Sequence, residues 1–238
     1  MEKIKLHLGC GDDLLPGYVN IDKKLREGVD YDFNSDILDL KFYNESIDEI
    51  RLHHVFEHFH RYQAVVLMFV WNNWLKTNGR LTIETPDFEW CCRKYLNLTT
   101  LRGTLWNTLV GLKYRKNYFK TDKWRVLRHV FGSKEADWAN HLEGWDKDTL
   151  SYLFELFGFK IIEVKQYKYK GYTSPNIRVT GEKIKHVTDF DSLAKELLEK
   201  MVNNDCELPI WLNKARELKD KIEKNENITN LIENLCKQ

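Results

Sequence analysis

The stretch IKLHLGCG, residues 4–11, decides the fold class. Alternating apolar and polar side chains over residues 4–8 are typical of a β-strand, and Gly9-Cys10-Gly11 then ends that strand. Glycines at this point allow a tight turn and let another molecule approach the backbone closely. A strand that runs into such a turn is typical of a nucleotide-type site, although two glycines alone are a weak signal.

Further strands and one long helix follow this first turn. The sequence predicts strands over residues 18–22, 31–36, 47–52 and 80–85. Residues 62–76, YQAVVLMFVWNNWLK, predict a buried helix that Asn78-Gly79 ends. Strands interleaved with helices imply a mostly parallel sheet that is covered on both faces.

The amino-acid composition changes twice in the second half of the chain. Residues 99–145 are basic and aromatic, and we interpret them as a lid-like insertion. A helix over 146–157 and two late strands, over 159–169 and 176–181, follow. From residue 184 onward the pattern predicts amphipathic helices, whose apolar faces need a surface on this domain or on another copy in a homodimer. We therefore predict one α/β domain over 1–183, with a Rossmann-like sheet of about seven strands, and a helical extension over 184–238.

Composition excludes several classes of function. The 37 Lys and Arg residues nearly balance the 36 Asp and Glu residues, so no global field draws the protein to nucleic acid or to a membrane surface. The five cysteines include no CxxC spacing, which argues against a zinc ribbon or a disulfide framework. No apolar run approaches the length of a membrane span, and we expect a cytoplasmic protein.

Two carboxylates end successive predicted strands. Asp22, in YVNID, is positioned to accept hydrogen bonds from the two hydroxyls of a ribose. Asp36, in NSDILDL, could pair with an adenine amino group beside the Ile37 backbone. Each aspartate alone is also explained as a turn residue at the end of a strand. In this order, and after the glycine turn, they favour a nucleoside site.

The order of these segments resembles the class I S-adenosylmethionine-dependent methyltransferases. LHLGCG, GYVNID, HVFEH and PDF follow one another here as LNLGCG, GYINVD, HVLEH and PDF do in one subgroup of that family. The resemblance covers residues 4–90. It implies that the cofactor contacts residues at the ends of the first four strands, namely Gly9, Cys10, Gly11, Asp22, Asp36, Ile37 and His53.

The same resemblance implies methyl transfer from S-adenosylmethionine to an oxygen, rather than a nitrogen, of a small acceptor. A sugar, a nucleotide-linked glycan precursor or a secondary metabolite would suit. Two alternatives stay open: a metal-assisted nucleic-acid 2′-O-methyltransferase, and a module that binds the cofactor without catalysis. The second stays open because His7 replaces an acidic residue of the family and Asp13 replaces a third glycine. Only ten residues separate Gly11 from Asp22, so the usual first helix is expected to be short or absent.

His54, Glu57 and His58 form an HxxEH pattern. That spacing occurs in zinc proteases, but here it lies between a strand and a helix of a nucleotide-type sheet, so we reject that interpretation. The pattern also resembles methyltransferases of this fold in which Glu-x-x-Glu-His and a distant histidine hold a divalent ion, with His129 or His141 as the distant partner. Many relatives carry HVLEH without a metal, so the sequence allows an ion here and does not assign one.

The residues that bind the methyl acceptor are expected to come from the insertion. His141, in HLEGW, is the leading candidate for general base, with a surface-loop histidine as the alternative. His54 and Asp87 complete the set of candidate catalytic residues, although Asp87 could instead cap the helix that follows it. Residues 113–128 hold seven Lys and Arg residues among aromatic rings, which suits a phosphate-containing acceptor or, alternatively, a solvated helix.

Overall fold

The computed structural model describes residues 3–24, 27–29, 31–97, 122–168, 174–204 and 206–236. Its strands are β1 (Lys5–Leu8), β2 (Val19–Asp22), β3 (Phe33–Asn34), β4 (Ile47–His53), β5 (Leu75–Pro86), β6 (Phe159–Lys168) and β7 (Pro175–Lys183). Its helices are α1 (Arg61–Trp74), α2 (Phe88–Asn97), α3 (Asp122–Phe131), α4 (Lys147–Leu156), α5 (Phe190–Glu199), α6 (Glu207–Lys224) and α7 (Thr229–Cys236). Of the predicted insertion, the part up to residue 121 lies outside the described residues.

The strands form one seven-stranded sheet in the order β3-β2-β1-β4-β5-β7-β6. Strands β1 to β5 pair in parallel, whereas β7 runs antiparallel to both β5 and β6. One face of the sheet centre is apolar, and the side chains of Leu6, Leu8, Ile50, Leu52 and Ile83 are fully buried on it. The other face of the same strands carries polar side chains, among them His7, Arg51 and Glu84. These features confirm the predicted α/β fold with a Rossmann-like sheet.

The strand order reverses beside β1. Strands β2 and β3 extend the sheet on one side of β1, and β4 extends it on the other. In open α/β sheets, ligands bind in the crevice outside the carboxyl ends of the strands at such a reversal. Gly9 follows β1, Asp22 ends β2 and His53 ends β4, so the fold brings the predicted site residues to one edge. The expected absence of a first helix is also confirmed, because residues 9–18 form only turns and loops.

Most residues of helix α1 are buried, as predicted, but its predicted end is wrong. The helix stops at Trp74, two residues before the expected end at 76. Leu75 already belongs to β5 and pairs with Ile47, and the Lys76 ammonium group lies 2.7 Å from an Asp48 carboxylate oxygen. An apolar residue at position 75 suits a buried helix face and a buried strand equally well, so its hydrophobicity does not mark the boundary.

The C-terminal helices pack against the same chain. The Phe190 ring of α5 meets Phe69 of α1 with ring centroids 5.1 Å apart, and Trp211 of α6 stacks on Tyr62 at 5.7 Å. Ile232 of α7 is buried in the main hydrophobic core. The apolar faces of the tail therefore have a surface within this chain, while a homodimer through them and a domain boundary at residue 184 stay predictions.

The helices of the described residues include none with the length and apolarity needed to cross a membrane. The cytoplasmic location stays a prediction.

Candidate functional site

The turn after β1 is held by main-chain hydrogen bonds to β2. Gly9 N and Cys10 N both donate to Ile21 O, at 2.8 and 3.2 Å. Gly9 has a φ of 66°, in the left-handed region that glycine adopts without strain. An added Cβ on Gly9 would also lie 2.4 Å from Val55 Cγ2. The turn therefore needs glycine at this position both for its conformation and for its close packing on the segment that follows β4.

Gly9→Ala is expected to lower the free energy of unfolding by about 1–3 kcal/mol, because the new side chain is both strained and overpacked. Gly17→Ala is the matched control, since Gly17 has a φ of 75° but an added Cβ there meets no atom within 4 Å. Urea denaturation of both variants measures the difference. Equal losses in the two variants would contradict the role of Val55.

Asp22 ties the glycine turn to the end of β2. Its Oδ2 accepts a hydrogen bond from Gly11 N at 2.9 Å, and its Oδ1 accepts one from Lys24 N at 2.8 Å. A carboxylate offers about four acceptor positions, so each oxygen retains one for a further donor. The side chain is thus fixed in orientation and can still accept two hydroxyl groups.

Asp36 is fixed in the same way at the start of a short 3₁₀ turn. Its Oδ1 accepts a hydrogen bond from Leu38 N at 3.0 Å, and its Oδ2 lies 3.2 Å from the Lys23 ammonium group. Among the described residues, none accepts a hydrogen bond from Ile37 N. Asp36 and Ile37 therefore present an acceptor and a donor next to each other.

A first cleft of about 600 Å³ runs along these strand ends. The predicted cofactor-binding residues that line it are Gly9, Gly11, Asp22, Asp36 and Ile37. Trp138 also lines it, and the Lys24 ammonium group lies 4.0 Å from the centre of the Trp138 ring. The volume is within the range of roughly 300–1,000 Å³ that is usual for small-molecule sites.

Two predicted cofactor contacts, Cys10 and His53, do not line the first cleft. Cys10 is buried, and its Sγ lies 3.8 Å from Gly11 O. His53 turns toward Glu84, whose Oε1 lies 2.7 Å from His53 Nε2. His7, which replaces an acidic family residue, is also buried; burial lowers its pKa to about 4 and keeps the ring neutral. The side chains of these three residues belong to the packing around the site.

Asp87 caps helix α2. Its Oδ1 accepts a hydrogen bond from Trp90 N at 2.9 Å, and its Oδ2 accepts one from Gln166 Nε2 at 2.5 Å. The residue is fully buried and lines neither the first cleft nor the one beside it. The capping interpretation is confirmed, and the geometry gives Asp87 no access to an acceptor.

A second cleft of about 570 Å³ adjoins the first. His54, His58 and Trp138 line both clefts, so these side chains mark the boundary between them. The exposed side chains of Arg125 and Arg128, from α3, lie on the wall of the second cleft. The predicted basic and aromatic segment thus contributes cations to a cavity beside the first cleft.

His54 has an unusual backbone conformation at this boundary. Its φ is 54°, which non-glycine residues rarely adopt and which often marks functional sites. The conformation is held by a hydrogen bond from His54 N to Glu84 O at 2.8 Å, and the Asn176 amide donates to His54 Nε2 at 2.9 Å. His54 Nδ1 lies 3.2 Å from Glu57 Oε1.

The segment around His141 is hydrogen-bonded to the HxxEH segment, although Asn140 lies 82 positions after His58 in the chain. Leu142 N and Glu143 N donate to the main-chain oxygen of Glu57, at 2.8 and 3.2 Å. His58 Nδ1 donates to Asn140 O at 2.8 Å. The rings of His58 and His141 meet edge to face with centroids 4.8 Å apart. The structure therefore brings two of the predicted catalytic residues, His54 and His141, into one cluster.

Burial and neighbouring rings set the charges in this cluster. Burial would raise the pKa of Glu57, but the adjacent imidazoles of His54, His58 and His141 outweigh it and lower that pKa to about 2. Burial lowers the pKa of His141 and of His129, which donates from Nε2 to Pro175 O. At neutral pH the carboxylate is charged and these last two imidazoles are neutral.

Lys24 and Asn176 are site residues that the sequence reasoning missed. Lys24 lines the first cleft and Asn176 holds His54. Lys24 could have been predicted from the sequence, because it lies two residues after Asp22, at a strand end already assigned to the site. Asn176 comes near His54 only because β7 inserts antiparallel beside β5, where Asn176 pairs with Pro86.

Comparisons with known proteins identify the fold. No family model and no curated protein matches the chain. A chain from the Haloferax volcanii complex between the Trm112 methyltransferase activator and a proposed methyltransferase aligns with a TM-score of 0.50 and 13% identity, over 79% of this chain and 84% of that one.

Two further solved structures align less closely. The Burkholderia thailandensis 1,6-didemethyltoxoflavin-N1-methyltransferase has a TM-score of 0.48 and 10% identity, over 76% of this chain and 71% of that one. The Bradyrhizobium japonicum N-methyltransferase NodS has a TM-score of 0.46 and 12% identity, over 77% and 79%. With its strand order and its antiparallel β7, this chain has the Rossmann-like α/β fold of class I methyltransferases.

Proposed function

We propose that this protein is an S-adenosylmethionine-dependent methyltransferase that methylates an oxygen, rather than a nitrogen, of a small acceptor. One observation carries the proposal: the first cleft, with the glycine turn, Asp22 and Asp36 in strand order, adjoins a second cleft lined by histidines. A methyl donor and an acceptor must meet at such a boundary. The adjoining clefts also argue against a module that only binds the cofactor, because such a module needs no second cleft.

The residues of the first cleft fit the cofactor. Asp22 retains two acceptor positions for the ribose hydroxyls, while Asp36 and the Ile37 amide offer an acceptor and a donor for adenine. The backbone of Gly9 and Gly11 is open to close approach because it carries no side chain. When bound, the cofactor supplies a methyl group on a positively charged sulfur, which is open to displacement.

The acceptor is best described as a small molecule with an anionic group. Arg125 and Arg128 supply cations to the wall of the second cleft, and Trp138 supplies a ring that can stack on a sugar or a base. A cavity of about 570 Å³ suits a nucleotide-linked sugar better than a polymer. These features support a phosphate-containing acceptor such as a glycan precursor.

Within this proposal the protein supplies orientation and proton removal. Holding the two reactants in line accounts for most of the acceleration. His141 is the candidate general base, because its lowered pKa leaves a neutral imidazole at pH 7 that can accept the hydroxyl proton. The hydrogen bonds between residues 140–143 and Glu57–His58 keep this imidazole beside the boundary of the clefts.

The test is calorimetric binding of S-adenosylhomocysteine, followed by mass spectrometry of methyl transfer to a set of nucleotide sugars. We expect one binding site and mass gains of one methyl group. Binding without turnover on any acceptor would favour the non-catalytic alternative, and failure to bind would overturn the proposal. Activity on RNA that falls steeply with salt would instead favour the nucleic-acid 2′-O-methyltransferase.

Asp22→Ala is expected to weaken S-adenosylhomocysteine binding by about 1–3 kcal/mol, the usual cost of removing partners from buried hydrogen-bonding groups. Calorimetry measures this change. Asp39→Ala is the matched control, because the Asp39 side chain is more than half exposed and pairs with Lys221 away from the cleft. Equal affinity in wild type and Asp22→Ala would show that the ribose site is assigned wrongly.

A further inference from the structure

The Glu57 carboxylate is buried and has one close donor. Only 2% of its side chain is exposed; its Oε1 lies 3.2 Å from His54 Nδ1, and its Oε2 has no hydrogen-bond partner among the described residues. A buried carboxylate in that state is costly unless a cation or several donors offset its charge. Its other close neighbours are the imidazoles of His58 and His141, which reach it from two segments of the chain. A cation held between these three side chains would offset the charge of Glu57.

In two imidazoles beside Glu57, one ring nitrogen donates a hydrogen bond to a backbone carbonyl and the other can act as a metal ligand. His58 Nδ1 lies 2.8 Å from Asn140 O, and because a carbonyl only accepts, Nδ1 must carry the proton and Nε2 must carry a lone pair. His141 likewise donates to the main-chain oxygen of Val130, and its Nε2 lies 3.9 Å from Glu57 Oε1. A backbone carbonyl that fixes the tautomer of an imidazole is the usual support of a metal-ligating histidine.

The separation of these donor atoms is close to that of a coordination sphere. One oxygen of Glu57 and one nitrogen each of His58 and His141 all lie within 4.8 Å of one another. Ligand atoms at about 2.0–2.2 Å from one ion lie roughly 3.3–3.6 Å apart in a tetrahedral site, so rotation of these side chains must shorten the widest separation by about 1–1.5 Å. His54 lies against Glu57 from the other side and holds the carboxylate in place.

We propose that Glu57, His58 and His141 form a binding site for one first-row divalent transition-metal ion, such as Zn²⁺ or Co²⁺. Two imidazoles and one carboxylate favour these ions over Mg²⁺, which prefers oxygen ligands. Both histidines line the second cleft, so the free coordination positions face the cavity assigned to the acceptor.

The role of this site rests on the proposed function. An ion held there would stabilise negative charge on an acceptor oxygen in the second cleft. His141 would then act through the ion as a ligand, and Glu57 would hold the ion beside the boundary of the clefts. The three side chains come from two segments that the hydrogen bonds of residues 140–143 already join.

The experiment uses the full chain after removal of bound metal with a chelator. Titration with Co²⁺, followed by visible absorption, should show one saturable site, and Zn²⁺ should displace the Co²⁺ with unit stoichiometry. Glu57→Gln and His141→Ala should each weaken Co²⁺ binding by at least tenfold. His186→Ala, which removes an exposed histidine after β7, should leave it unchanged. Millimolar Mg²⁺ should not compete.

Circular dichroism establishes that each variant is folded, and His58→Ala provides a third ligand variant if Glu57→Gln is not. The absence of a saturable site, or wild-type affinity in two folded ligand variants, would overturn the metal site. Calorimetry with S-adenosylhomocysteine on the same samples separates the two proposals. Metal binding without cofactor binding would leave the site standing and remove the proposed function, whereas cofactor binding without metal would do the reverse.

Discussion

His141→Ala is expected to lower turnover by roughly 10²–10⁴-fold while leaving the affinity for S-adenosylhomocysteine unchanged, because the imidazole lines the second cleft and not the first. The loss follows whether the ring accepts the proton itself or acts through an ion. The measurement is kcat and KM across pH 6–9, with the acceptor that the nucleotide-sugar screen identifies.

His186→Ala is the control for this variant, since it removes a histidine on the surface at the other end of β7. A His141→Ala enzyme that keeps full turnover over the whole pH range would exclude His141 from the chemistry. A variant that loses cofactor affinity as well would indicate that the ring supports both clefts. Comparing the two parameters therefore distinguishes a role toward the acceptor from a general structural role.

Trp145→Ala is expected to lower the free energy of unfolding by about 3–5 kcal/mol, the usual cost of removing a large buried aromatic ring. Trp145 is 2% exposed, and its ring lies 5.1 Å from that of Phe56 in the main core. Its indole N–H has no acceptor among the described residues, so the ring contributes packing alone. Urea denaturation at neutral pH measures the loss.

Trp124→Ala is the matched control, because the Trp124 side chain belongs to the same predicted insertion but is 72% exposed. Its effect on stability should stay within about 0.5 kcal/mol. If the two tryptophan variants lost similar stability, the division between a core ring and a surface ring would be wrong.

The parts of this fold that repeat a local pattern could be predicted from the sequence. Strand β1 and its glycine turn follow from alternation and from two glycines, and the ends of β2 and β4 follow from the same kind of signal. Because parallel strands present their carboxyl ends at one edge, Asp22 and Asp36 could be assigned to one cleft before the structure was known. Both aspartates do line that cleft.

The direction of individual side chains could not be predicted. His53 and His54 are neighbours, and the family resemblance implied a cofactor contact for His53. In the structure His53 pairs with Glu84, whereas His54 faces both clefts. The left-handed backbone of His54 interrupts the alternation of a strand at this point. The imidazole direction is also fixed by a contact with Asn176 from β7, which no local pattern reveals.

The local sequence also could not predict which tryptophans are buried, exposed or in a cleft. The sequence places Trp106, Trp124, Trp138 and Trp145 together in the insertion, next to a predicted acceptor pocket. Trp106 lies outside the described residues. Of the other three, Trp138 lines both clefts, Trp145 is in the core and Trp124 is on the surface. Whether a tryptophan is buried depends on residues that are distant in the sequence and pack against it. For Trp145 one such residue is Phe56.

The backbone contact between Trp145 and the end of β5 bears on how far the segment between them can vary. Phe88 N donates to Trp145 O at 2.8 Å, and Asp87 forms a bridge with Trp145. The chain thus leaves the sheet and returns to it at one point. Doubling the length of a segment closed in this way costs only about 0.6 kcal/mol. Changes of length or sequence between these residues are therefore expected to leave the strand ends around the first cleft undisturbed, so that under the proposed function the acceptor could change while the cofactor site stays the same.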